Sequence, residues 1–266
     1  MTEALAFIRA GWLTATSYRV NAFLSLFSFV FSIVPIYFIA GALEPVMENA
    51  IAAEGAHYFA FLVVGLVTNG FVVLAMATLP TAIGRSIGNG NLEAMLATPI
   101  RLPALLFGLT SYDVVWTIAR TALFLAAAVV LGMRISLDGA PAAFLIFTVL
   151  VAAHVPIGFL AVASVLAFRN ATPLPRLMLA ASAFLGGMYY PAHVVPSWLQ
   201  YVSAMLPMTY GLRAFRGTLL GGTSFAAVAA DFLVLCGFVL VLMPLGVLAL
   251  NASLRYARSA GSLAYH

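Results

Sequence analysis

Six apolar stretches, near residues 21–43, 57–80, 103–131, 141–168, 176–190 and 226–250, alternate with short polar interruptions along this chain. A helix needs about 20 apolar residues to cross a bilayer, and all but the fifth stretch meet that length. With no water in the hydrocarbon, a spanning segment must satisfy its own backbone, which favours helices. The pattern predicts an all-α integral membrane protein, a single domain over residues 1–266 with six transmembrane helices.

The fifth stretch is irregular. Only fourteen residues run from Leu177 to Tyr190 before Pro191, and Gly186-Gly187 sits inside them. Fourteen residues rise about 21 Å as helix, short of a hydrocarbon core of roughly 30 Å. Pro191, Pro196 and Pro207 follow, interleaved with Tyr190, Trp198 and Tyr210, up to Gly221-Gly222. The expectation is a run that breaks near the outer leaflet and continues as re-entrant helices over 186–222. Broken backbone at that depth must be buried in protein or line a wet cavity. The competing reading is an outer loop with interfacial helices. At the other end of the chain, residues 4–19 place Leu5, Ile8, Trp12 and Ala15 on one helical face, with Arg9 and Thr16 away from it. Such an amphipathic helix, closing at Arg19, lies in the membrane interface as an anchor or as a lever touching a partner.

Charge then orients the spans. Only 8% of the residues are charged against 64% hydrophobic, with mean hydropathy +1.09. A water-soluble domain carries roughly 25% charged residues, so that class is excluded. All twelve basic residues are arginine. Arg9, Arg19, Arg85, Arg101, Arg169, Arg176, Arg255 and Arg258 fall at one set of span ends. Arg134, Arg213 and Arg216 fall at the other, with Glu44, Glu48, Glu54 and Asp138; the three glutamates read as a solvated face, the alternative being a cation site. The positive-inside bias places both termini in the cytoplasm. No basic cluster beyond pairs exists, so the net charge of +4 reports orientation, and no nucleic-acid partner is expected. Cys236 is the only cysteine and reads as a small buried side chain. No cleavable signal peptide is expected, and the sequons at Asn170 and Asn251 fall on the cytoplasmic side.

Residues 84–101 form a polar, glycine-punctuated island between the second and third stretches. Asn89 or Asn91 can cap a helix there, with Glu93 in the first turn where the dipole favours an anion. Pro99 disfavours helical geometry at Thr98 and ends it. The two turns over 84–98 carry Leu92, Met95 and Leu96 on one face, and a helix that short is marginal alone in water. It must pack on its own span ends or on another protein.

The run from Gly90 to Arg101, with Leu92-Glu93, Leu96 and Thr98-Pro99, resembles the cytoplasmic coupling segment of the ABC type-2 transporter permeases. The run Tyr190 to Gln200, continuing through Pro207-Met-Thr-Tyr210, Leu212-Arg213 and Gly222, resembles that family's signature after the fifth span. The resemblance implies a permease that docks a separate nucleotide-binding ATPase through Asn91, Leu92, Glu93, Met95, Leu96, Thr98, Pro99 and Arg101. The interfacial helix with Arg9, Trp12 and Arg19 would share that contact. It implies two permease copies with two ATPases, and an outer gate built on Gly186, Gly187, Tyr190, Pro191, Pro196, Trp198, Pro207, Tyr210 and Arg213. ATP and Mg would bind the partner subunit. The chain has no lysine, so a P-loop is impossible within it.

Three further groups stand inside the apolar stretches. Asp113 and Arg120 lie seven apart on one helical face, and His154 sits at the middle of the fourth stretch. Charges at that depth are costly and face a partner or a cavity. One reading is a relay for protons or substrate in a secondary transporter or channel; the other is a structural pair that fixes packing. No metal site is expected, because the histidines lack zinc-ligand spacing. Aromatic residues in the first stretch (Phe23, Phe27, Phe31, Tyr37) and after the fifth (Tyr189, Tyr190, Trp198, Tyr201, Tyr210, Phe215) form a belt against lipid or walls for an amphipathic cargo.

Overall fold

The computed structural model describes residues 19–52, 54, 57–90, 102–168 and 173–259. Nine α-helices and one 3-10 turn are found among them, and no strand. In chain order they are α1 Arg19–Phe31, α2 Ile33–Ile51, α3 Tyr58–Gly88, α4 Leu102–Val130, α5 Ala140–Phe168, α6 Pro173–Leu185, the turn Ala192–Val194, α7 Ser197–Ala204, α8 Pro207–Leu219 and α9 Phe225–Ser259.

Five stretches of helix are long and apolar enough to cross a membrane: Phe23–Ile51, Tyr58–Gly88, Thr110–Val130, Ala140–Leu166 and Phe225–Tyr256. The first joins α1 and α2 through Ser32, whose N–H donates to the Ser28 carbonyl at 3.0 Å and whose hydroxyl donates to that of Phe29 at 2.6 Å. The sixth span expected at 176–190 does not appear at full length among the described residues. In its place α6 has 13 residues, about 20 Å of rise. It ends at Leu185, earlier than the prolines suggest, because Gly187 adopts φ 88°. That left-handed conformation suits glycine, and the Met188 N–H turns back to the Ala183 carbonyl at 3.3 Å to close the helix end.

Helix α5 lies at the centre, in contact with α9, α3 and α8. One apolar cluster joins Phe61, Phe124, Ile146, Leu150, Met208, Leu212 and Leu235. A second joins Leu79, Ile83, Val162, Leu166, Leu250 and Leu254 of α3, α5 and α9 nearer the opposite end. In lipid there is no hydrophobic drive between helices, so close packing and polar bonds must hold such a bundle together. The polar bonds concentrate at one end.

Candidate functional site

Helix α8 carries Arg216, the largest fully buried side chain among the described residues. Its guanidinium closes the end where α3 begins and α6 stops. Nη1 donates to the Gly187 carbonyl at 2.7 Å and to Glu54 Oε2 at 3.3 Å. Nη2 donates to the carbonyls of Met188 at 2.9 Å and Phe61 at 3.0 Å. The Phe61 ring lies face-on, its centroid 3.4 Å from Cζ, and Nε has no hydrogen-bond partner. Gly187 and Met188 lie just past a helix end, where carbonyls lack an intrahelical donor. One side chain thus caps α6 and ties it to α3 and to the segment before α3. Burial lowers the Arg216 pKa to about 10, with Glu54 opposing the shift, so the group is cationic at neutral pH.

Neighbouring contacts extend this knot. The Ser203 hydroxyl donates to the Leu185 carbonyl at 2.7 Å, and the Thr209 hydroxyl donates to the Ser203 carbonyl at 2.6 Å, linking α6, α7 and α8. The Tyr58 hydroxyl donates to the Tyr189 carbonyl at 2.9 Å. Glu44 accepts from the Tyr58 N–H at 2.8 Å and lies 3.2 Å from His57 Nδ1, so it satisfies an orphan donor at the start of α3. Arg213 meets Asp231 of α9 in a two-bond fork, with Nε 2.8 Å from Oδ2 and Nη2 bonded to Oδ1. That bond to Asp231 raises the Arg213 pKa, and burial opposes it. A small, partly open cleft runs between Gly186, Ala192, His193, Thr209, Arg213 and Arg216.

The residues proposed for an outer gate are gathered here in part. Gly186, Gly187, Pro191 and Pro207 are buried, Tyr190 and Tyr210 are half-buried, and Pro196, Trp198 and Arg213 are exposed. Phe215 belongs to the core against Phe147, not to an aromatic belt. Glu54 is buried on Arg216 and Glu44 is bonded, which corrects the reading of these acids as a solvated face; Glu48 is exposed as expected.

Elsewhere the intramembrane groups do not form the expected pair. Asp113 and Arg120 are not within ion-pair distance of one another. Asp113 interacts electrostatically with Arg85 of α3, whereas Arg120 faces the Phe29 ring at 4.8 Å. Seven residues put them on one helical face but about 10 Å apart along it, too far for contact. His154 is fully buried. Its Nδ1 lies 2.8 Å from the Leu150 carbonyl and so carries the proton, while Nε2 has no partner.

The polar island also begins differently. Residues 84–88 belong to α3, and Asn89 closes that helix at its C-terminus through its N–H to the Arg85 carbonyl at 3.0 Å, so it is no N-cap. Arg85 sits in that last turn, where the helix dipole favours a cation. Asn91, Leu92, Glu93, Met95, Leu96, Thr98, Pro99 and Arg101 lie outside the described residues, as do Arg9 and Trp12; Arg19 opens α1.

Five membrane-length helices, with a short sixth that breaks into α7 and α8, define a multi-pass helical membrane protein. Within that class the chain belongs to the ABC-2 type transporter family, whose model matches residues 5–220. The match runs from residue 5 to just past the end of α8 and stops short of α9. The family consists of ABC transporter permeases, membrane subunits generally not themselves catalytic, and in general it implies an ATPase partner. No curated protein matches the chain.

The sequence places Arg216 and Glu54 only at outer span ends, without pairing them, and leaves Asp231 unassigned. The signal that could have found Asp231 is a lone acid in an apolar run, which needs a cation nearby. Arg216 and Glu54 are 162 residues apart and carry no local signal.

Proposed function

We propose that the chain is the membrane-spanning permease subunit of an ATP-driven exporter in the bacterial cytoplasmic membrane, with both termini in the cytoplasm. Two copies pair as a homodimer with two separate nucleotide-binding subunits, which bind ATP and Mg. Residues 84–98, helped by the interfacial helix, receive the force of ATPase closure, and residues 186–222 form a re-entrant outer gate on the short α6. The cargo is amphipathic: a drug, a lipid or a lipid-linked glycan.

The observation that carries this reading is the family match over residues 5–220, which includes the coupling segment. The absence of any lysine supports it, because a P-loop lysine must then come from another chain. The knot at Arg216 supports the gate assignment, since it joins the short α6 to α8 while leaving a cleft between them. The test uses inside-out vesicles loaded with the assembled complex and an amphipathic fluorescent dye. Uptake should require ATP, stop with vanadate and ignore a protonophore. Uptake that follows the proton gradient and ignores ATP would replace this reading with a secondary transporter acting through Asp113, Arg120 and His154.

A further inference from the structure

Arg120 is a cation within a membrane-length helix, and no counter-charge pairs with it among the described residues. It stands ten residues from Val130, about 15 Å along α4, so it is near mid-depth of a core roughly 30 Å thick. Its Nε is buried without a hydrogen-bond partner, and its guanidinium rests on Phe29 of α1 at 4.8 Å. The chain holds eight acidic residues, and the described ones are spoken for or distant. Glu54 is bound to Arg216, Asp231 to Arg213, and Glu44 to the start of α3. Glu48 and Asp138 are exposed near helix ends. Asp113 interacts electrostatically with Arg85 and lies about two turns, or 10 Å, along α4 from Arg120. Glu3 and Glu93 lie outside the apolar stretches of the sequence. A second copy would bring the same described acids, all of them engaged, exposed at helix ends or two turns from Arg120 along α4.

A planar guanidinium in hydrocarbon calls for an anion that can accept its forked donors, and phosphate and carboxylate fit that geometry. Leu123, three residues on from Arg120 and so on the same side of α4, is exposed, so an acyl chain can lie along α4 beside the guanidinium.

We propose that Arg120, backed by Phe29, binds the anionic headgroup, phosphate or carboxylate, of an acyl-chain amphiphile reaching it between α1 and α4. The binding site stands on these contacts; calling the amphiphile cargo rests on the exporter reading above. The full-length chain in neutral detergent is titrated with phosphatidylglycerol, with phosphatidylcholine of the same acyl chains, and with dodecyl phosphate, and bound molecules are counted by native mass spectrometry. Phosphatidylglycerol and dodecyl phosphate should bind selectively over phosphatidylcholine. Arg120→Gln should weaken both by about tenfold or more, the scale of one lost charged hydrogen bond. Phe29→Glu, which places a carboxylate against the guanidinium, should weaken them similarly, while Arg255→Gln, at an exposed position of α9, should not. Unchanged phosphatidylglycerol affinity in monodisperse Arg120→Gln, or in Phe29→Glu if the first variant does not fold, overturns the site. A resident lipid would withstand excess dodecyl phosphate, whereas a cargo would exchange, and either result sustains the anion site. The titration needs neither ATP nor the ATPase, so ATP-independent transport would remove the exporter reading and leave the site standing.

Discussion

Helices α3 and α1–α2 are both apolar and long enough to span a membrane, yet 61% of the α3 window is buried and only 11% of the α1–α2 window. Hydropathy cannot tell them apart, at 2.3 and 2.2. The difference comes from what each meets. Helix α3 packs against α5, α4 and α2, and its start is held by Glu44 and Arg216. Helix α1 turns Phe23, Phe27 and Phe31 outward in a stacked file, with ring centroids 6.5 and 5.9 Å apart. A buried span and a peripheral one thus differ in polar ties and in close backbone approach, not in how apolar they are. The peripheral face is left for lipid or a second copy.

Loss of the Arg216 tie should have the largest effect. Arg216→Ala strands Glu54 and three carbonyls, and breaking a buried pair in this way costs about 3–5 kcal/mol. Monodisperse yield and thermal unfolding in detergent should both collapse. Combining Arg216→Met with Glu54→Leu should recover much of the loss, because no charge is then stranded. A variant that elutes and melts like the parent would show that α3 is not anchored there.

Next comes close approach. A Cβ at Gly65 of α3 would lie 2.5 Å from the Met188 carbonyl oxygen and 2.6 Å from Arg216 Nη2. Gly65→Val should therefore lower stability by about 1–3 kcal/mol, the usual cost of overpacking. Thermal unfolding reads this, with Gly41→Val as the comparison on exposed α2, where a Cβ meets nothing within 4 Å.

Smaller still is the effect expected at Asp231. Its partner Arg213 is about half exposed, with side-chain exposures of 51% and 15%, so solvent screens the pair. Asp231→Asn should cost no more than about 1 kcal/mol. A collapse of the size predicted for Arg216 would contradict that ranking.

Smallest in stability is the aromatic file. Replacing Phe23, Phe27 and Phe31 by alanine should change monomer stability by about 0.5 kcal/mol or less per site. Cross-linking should nevertheless report loss of pairing if α1 forms the seam between copies. Unchanged pairing would assign that face to lipid.

The spans were legible because a crossing helix is written in one continuous apolar run. Their ends were less so. Helix α3 continues through Arg85 and Ser86 to Gly88, since polar residues do not stop a helix, and it closes only where Asn89 and Gly90, at φ 68°, leave helical geometry. The shortness of α6 was visible in its fourteen residues, but its stop at Gly187 instead of Pro191 depended on a local backbone conformation. The knot was not legible, because Arg216, Glu54 and the Gly187 carbonyl meet only after folding. The spacing of Asp113 and Arg120 misled for a related reason: sharing a helical face does not bring two side chains within reach.

The central claim is that this permease acts through a separate ATPase docked at residues 84–98. Its most direct test is affinity purification of the tagged chain from its native membranes in mild detergent, beside Glu93→Ala combined with Leu96→Asp. The account predicts that a nucleotide-binding ATPase elutes with the parent chain in equal copies, and is lost from the double variant while that chain still elutes as a folded species. Recovery of the ATPase in equal amount with both chains, or with neither, would contradict it.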